Sequence, residues 1–189
     1  SNAYTDVPID TWNTGWQFST AKLEDIQIEG DDVKQYKDLN FVGIEFASQT
    51  IDASGMTHFH LDIWTPDPTG LPAAFNVLLV DFGADGAFDG GDDSSHELSF
   101  TSPTLQTGEW VSLDIPLVNF TGLVNRAHLA QLVLDILFQL VGDGPQRNQR
   151  IPGKFNNITT IRGDQIDKLA KVGVKQGRQL LSADWPASG

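Results

Sequence analysis

The sequence predicts an all-β protein, a jelly-roll type sandwich of short antiparallel strands. Three observations carry this. Apolar and polar residues alternate strictly over 58–65 and again over 110–115, the period of a half-buried strand. Clusters of Gly, Pro and Asp recur at short intervals between the apolar runs, as turns do in sandwiches and barrels. Finally, residues 4–134 contain no convincing amphipathic helix.

Taken in order, residues 4–20 read as loop, with Trp12 and Trp16 four apart. Ile26 to Ile28 is a short strand, and Glu29-Gly30-Asp31-Asp32 is a turn. Val33–Tyr36 and Phe41–Phe46 are further strands, and residues 51–56 form a connector. In the run from His58 to Thr65, Phe59, Leu61 and Ile63 face the core while His58, His60, Asp62 and Trp64 face outward. Pro66 and Pro68 end that strand, because proline removes ladder donors. Phe75 to Val80 is a continuous apolar run, the mark of a buried strand. Glu97–Thr101 and Trp110–Ile115 follow; in the latter Val111, Leu113 and Ile115 point inward, Trp110, Ser112 and Asp114 outward. From Leu129 the pattern fits either a helical stripe or a buried strand. Residues 163–181 hold a helical candidate with Asp164 as N-cap.

Bulk properties narrow the function. The chain has 189 residues, enough for one domain with a substantial core. Its net charge of −13 argues against nucleic acid, whose phosphates call for Lys and Arg. No apolar run is long enough to span a membrane as a helix. There is no cysteine, so disulfides and thiolate metal sites are excluded. Ser1-Asn2-Ala3 reads as the remnant of a cleaved tag. The charge is split: residues 1–143 carry 4 basic and 22 acidic side chains, and residues 144–189 carry 8 basic and 3 acidic. With the turn signal Gly142-Asp143-Gly144-Pro145, this sets a boundary between a 4–143 sandwich and a basic, partly helical 144–189 extension expected to pack weakly on it.

The most unusual stretch runs from Phe75 to Glu97. After its apolar start it holds four glycines and six carboxylates, with no Lys or Arg between Lys37 and Arg126. Crowded carboxylates repel unless a cation intervenes, and glycines let a backbone aim oxygens at one point. Calcium, a hard cation taking six to eight oxygens, is the cofactor this composition suggests, held by Asp81, Asp85, Asp92, Asp93 and Glu97. The spacing matches no EF-hand, and a solvated acidic loop is the other reading. The triplet Asp81-Phe82-Gly83 spells a kinase motif but lacks its companion motifs. The four histidines have no zinc-site spacing, and there is no Gly-x-Ser-x-Gly nucleophile elbow.

Sugar recognition needs flat apolar faces with polar groups around them. Trp64 beside His60 and Asp62 meets that description, and Trp110, Trp12 and Trp16 are further candidates for stacking.

Several ordered segments carry a resemblance: residues 39–46, 51–56 and 60–65, then Val80 to Gly86, Gly90 to Asp93, His96-Glu97, Trp110 to Leu117 and Arg126 to Leu132. Together these resemble the galactose-binding-like β-sandwich modules at the ends of secreted polysaccharide-degrading enzymes of Bacteroidetes, over roughly residues 4–134. The resemblance implies a non-catalytic carbohydrate-binding module, secreted or at the cell surface and fused to a catalytic domain. A calcium-stabilised adhesion domain and a polysaccharide lyase or glycoside hydrolase are the alternatives. Such modules end on a strand of the Val-Tyr-Val-Asp-Asn-Ile-Tyr-Phe type, which is missing here, so Asp135 to Val141 is expected to take its place. The expected ligand is a neutral β-linked polysaccharide, because a sandwich this acidic repels anionic chains.

Overall fold

A computed structural model describes residues 7–28, 30–139, 150–152 and 155–162 of the chain. The described elements are strands β1 (Lys22–Ile28), β2 (Asp31–Leu39), β3 (Phe41–Glu45), β4 (His58–Trp64), β5 (Ala73–Asp81), β6 (Ser94–Phe100), β7 (Trp110–Pro116), β8 (Leu129–Gln139), β9 (Arg150–Pro152) and β10 (Phe155–Arg162). Two single-turn 3-10 segments accompany them, at Ala47–Gln49 and Leu117–Asn119. None of the described helices is long and apolar enough to cross a membrane.

The strands form two layers. One has the order β3-β8-β5-β6, with β9 added at the far end of β8. The other is assembled from β1-β2-β10 and β4-β7, and β10 runs beside β4 to bring these pieces together. Each strand pairing is antiparallel. Between the layers lies one main core, in which Phe59, Leu61 and Ile63 of β4 and Leu113 and Ile115 of β7 meet Phe75, Val77 and Leu79 of β5 and Leu132 and Leu134 of β8. The alternation read over β4 and β7 is thus realised: their apolar residues are in the core and the intervening ones are partly or fully exposed.

The ambiguous run from Leu129 is a strand. β8 is flanked on both sides, by β3 and β5, and buries residues on both of its faces. A central strand of this kind loses the alternation that would distinguish it from a helix. Thr11 bridges to Glu45, and Asp10, Thr11 and Thr14 donate backbone hydrogen bonds to β3, so the N-terminal loop covers that edge.

One expectation about the second half of the chain is corrected. Asp135 to Val141 does not supply a separate closing strand; Asp135 to Gln139 continues β8, because Asp135, Ile136, Leu137 and Phe138 keep register with Asn76, Phe75, Ala74 and Ala73. The position beside β2 and β4 is filled by β10 instead. Its sequence, FNNITTIR, is rich in the β-branched residues that suit a strand. Beyond the expected 143/144 boundary, the described strands β9 and β10 pair with β8 and β2. The boundary itself, the helical candidate at 163–181 and the tag remnant lie outside the described residues.

Candidate carbohydrate-binding face

The outward residues of β4 and β7 form a paired array. The register sets Trp64 opposite Trp110, Asp62 opposite Ser112, His60 opposite Asp114 and His58 opposite Pro116. Directly opposed residues on one face of an antiparallel pair are near neighbours, so the two tryptophans sit side by side at one end of the face. Trp110 is 36% exposed and Trp64 is half-buried. Both strands have their other face in the core and pair with each other along their length, which holds the outward side chains on a firm base.

Next to the tryptophans the face is polar. His60 lies between two carboxylates, with Nε2 3.4 Å from Asp62 Oδ1 and Nδ1 3.7 Å from Asp114 Oδ1. At these distances the contacts are looser than well-formed hydrogen bonds. Apolar rings at one end and acceptor-rich groups along the rest is the division of labour expected of a sugar site, where rings take CH faces and polar groups fix orientation.

Of the six residues expected to bind carbohydrate, the structure brings four together: Trp64, Trp110, His60 and Asp62. Ser112 and Asp114 join them; alternation had marked both as outward, but only the register shows which residues they face. Trp12 and Trp16 are elsewhere. Trp12 packs against the main core, with the Lys34 ammonium 4.9 Å from its ring centroid and its carbonyl accepting from the buried Tyr36 hydroxyl at 2.7 Å. Burial pushes the Tyr36 phenol well above its ordinary pKa. Trp16 lies over Gly43, where an added Cβ would come within 2.7 Å of its ring, and near Phe41 at 6.4 Å. A glycine in β3 is thus what lets this indole lie flat on the sheet.

The acidic stretch forms the β5–β6 connection, and its carboxylates serve the loop itself. Asp81 is fully buried; its Oδ1 accepts from the Gly83 amide at 2.9 Å and its Oδ2 from the His128 amide at 2.7 Å. Asp85 accepts from the Ala87 amide at 2.9 Å, Asp92 from Ala84 at 2.7 Å, and Asp93 from Asp89 at 2.5 Å. Glu97 stands on β6 opposite Leu78, away from the loop. Among the described residues no group of three or more His, Cys, Asp or Glu side chains is gathered as a metal site. One oxygen is left over: Asp93 Oδ1 is buried without a hydrogen-bond partner. His96 accepts from the Gly122 amide at 3.1 Å.

No protein-family model and no curated protein matches the chain by sequence. Solved structures do match by shape. The family 11 carbohydrate-binding module of the cellulosomal cellulase Lic26A-Cel5E of Clostridium thermocellum superposes with a TM-score of 0.51 at 11% identity, over 86% of this chain and 92% of that one. This chain shares the β-sandwich fold of that module. A second structure, the Clostridium thermocellum family 11 module in complex with a β-1,3-1,4-mixed-linked tetrasaccharide, matches with a TM-score of 0.42 at 13% identity, over 78% of this chain and 85% of that one. At such identities the likeness is one of backbone architecture, and the site has to be read from this chain's own side chains.

Proposed function

We propose that this chain is a non-catalytic carbohydrate-binding module that holds a neutral β-linked polysaccharide on the outward face of β4 and β7. The observation that carries the reading is the cross-strand pair Trp64 and Trp110, an aromatic platform flanked by His60, Asp62, Ser112 and Asp114. The sandwich fold is the second support. Neither strand carries Lys or Arg, so a sulfated or uronate-rich chain would meet the carboxylates of Asp62 and Asp114 there. In this reading the module is secreted or displayed at the cell surface as part of a polysaccharide-degrading system, and a separate catalytic domain does the cleaving. Calcium is a distinct proposal. Asp93 Oδ1, buried and unpaired, is the oxygen an ion would satisfy first, and neighbouring carboxylates would have to give up amide partners to join it.

Affinity electrophoresis through gels containing neutral β-glucans, xylan, mannan and an anionic control tests the main reading. The expected result is retardation by a neutral β-glycan and none by the anionic polymer. Trp64→Ala and Trp110→Ala should each remove most of the retardation while keeping the wild-type circular dichroism spectrum. Folded variants that bind as the wild type does would place the site elsewhere. An absence of retardation by every polymer would reject the proposal.

A further inference from the structure

Phe18, on the N-terminal loop, stands against two ordinary rules at once. It is the third residue of a turn closed by the Ser19 amide, which donates to the Trp16 carbonyl at 3.0 Å, and its φ is +74°. That is the backbone of a type II turn, whose third position favours glycine or asparagine. A phenylalanine there is strained, because its Cβ crowds the following carbonyl. Burial does not offset the strain, since Phe18 is 79% exposed. The turn is nevertheless held firmly in this form. The Phe18 carbonyl accepts from Asn40 Nδ2 at 2.8 Å, and Asn40 Oδ1 accepts from the Thr20 amide at 2.7 Å. The Ser19 hydroxyl donates to the Phe41 carbonyl at 2.7 Å and the Thr20 hydroxyl to the Asp38 carbonyl at 2.6 Å. Beside the turn, Trp16 lies on Gly43 of β3. The Phe18 ring is thus neither a loose end nor a core residue, but is presented outward from a fixed base. A strained position that gains nothing inside the chain points to a contact outside it.

The surroundings select the partner. Among the described residues Phe18 is the one large apolar side chain fully exposed on this loop. A lone ring falls far short of the roughly 800 Å² that each side of a stable protein interface buries, and matches a ligand the size of one ring. Next to it are uncharged polar groups, the exposed Gln17 amide and the Thr20 hydroxyl. The nearby charges of Lys22 and Asp38 are paired with each other at 2.8 Å. An apolar ring with neutral hydrogen-bonding groups at its rim suits the CH face and hydroxyls of a neutral pyranose. Resting on the reading that the chain binds a neutral glycan, we infer that Phe18 is a second glycan contact, on which one sugar ring of the polysaccharide stacks with Gln17 at its edge. This contact is separate from the tryptophan pair, because the loop that carries it lines β3, whose sheet contains neither β4 nor β7.

Phe18→Gly tests this, with stability and binding read on the same variant. Glycine adopts a positive φ without strain, so the variant should melt at or above the wild-type temperature. In affinity electrophoresis through the neutral β-glucan, xylan or mannan that retards the wild type, its dissociation constant should rise about fivefold, the scale of one lost ring contact. Phe18→Tyr, which keeps the ring, should bind within about twofold of the wild type. A Phe18→Gly variant that binds as the wild type does overturns the proposal. So does one that melts clearly lower, since the ring would then be serving the fold. Trp64→Ala run in the same gels separates the two contacts. Retardation lost in Trp64→Ala and kept in Phe18→Gly leaves the β4 and β7 platform standing and rejects Phe18. Retardation kept in Trp64→Ala and weakened in Phe18→Gly supports Phe18 and rejects that platform. If none of these polymers retards the wild type, both are rejected.

Discussion

The acidic loop between β5 and β6 and the outward face of β4 and β7 both combine aspartates with aromatic rings, and they use them in opposite ways. In the loop, Asp81, Asp85, Asp92 and Asp93 turn back onto the chain's own amides, at Gly83, His128, Ala87, Ala84 and Asp89, and Phe88 packs against Phe82 with centroids 5.6 Å apart. On the face, Asp62 and Asp114 stand on paired strands whose other face lies in the core, beside the side chain of His60. The difference lies in what the nearby backbone still needs. A loop has N–H groups without ladder partners, and a carboxylate placed there is taken up by them. On the face the outward carboxylates lie instead on either side of the His60 imidazole, at 3.4 and 3.7 Å.

The strongest test of this contrast is Asp81. Replacing it by Ala leaves the Gly83 and His128 amides without their acceptors in a buried setting, at about 1–3 kcal/mol for each unsatisfied group. We expect Asp81→Ala to lose about 3 kcal/mol in urea unfolding, and Asp114→Ala on the face to change stability by less than about 0.5 kcal/mol. Equal losses would erase the distinction.

Gly83 gives the next largest effect. Its φ of +68° lies in the left-handed region, and an added Cβ would sit 2.2 Å from the Asp92 carboxyl carbon. Gly83→Ala should cost about 1–2 kcal/mol from backbone strain alone. In an Asp92→Ala background the same substitution should cost less, by the share that comes from the clash. An unchanged cost would mean that Asp92 swings clear.

A chelator sharpens the comparison further. If the amide bonds are the whole account of the loop, protein first equilibrated with calcium should melt at the same temperature after chelation. A clear fall would show calcium held at Asp93 Oδ1 and its neighbours, since an ion bound only by the folded state adds stability by mass action.

The smallest effect is expected at Asp10, a carboxylate of the loop kind on the N-terminal segment. The Ser48 hydroxyl, and then the Ser48 amide, hold its carboxyl below the ordinary 3.8. A depressed folded pKa contributes stability that is present above pH 3.8 and is lost as pH falls through the folded value. Ser48→Ala should therefore show a slightly shallower fall in melting temperature than the wild type between pH 5 and pH 3. Parallel curves would mean the contact is immaterial in solution.

Much of the sandwich was legible in the sequence because β4 and β7 each have one wet face and one dry one, so Phe59, Leu61, Ile63, Leu113 and Ile115 declare themselves by alternation. β8 did not, because a strand flanked on both sides and buried on both faces has no polar period to read. β10 was missed because nothing local to Phe155–Arg162 says that it pairs with β2. At the site, alternation told which way Trp64 and Trp110 point but not that they are opposed; pairing register is a long-range property. Trp12 and Trp16 are as aromatic as the other two, and only the tertiary packing on Lys34 and Gly43 separates them. The aspartates of the loop and of the face look alike in sequence for the same reason.

The placement of β10 has a consequence for how the chain comes into being. The sheet that ends on Phe155–Arg162 cannot be completed before that strand has left the ribosome. Until then β2 is joined on one side only, to β1. Unpaired edges invite pairing with other chains, so the nascent protein passes through a window of vulnerability that closes only when its last described strand arrives. A version cut at residue 143 would remain in that window permanently.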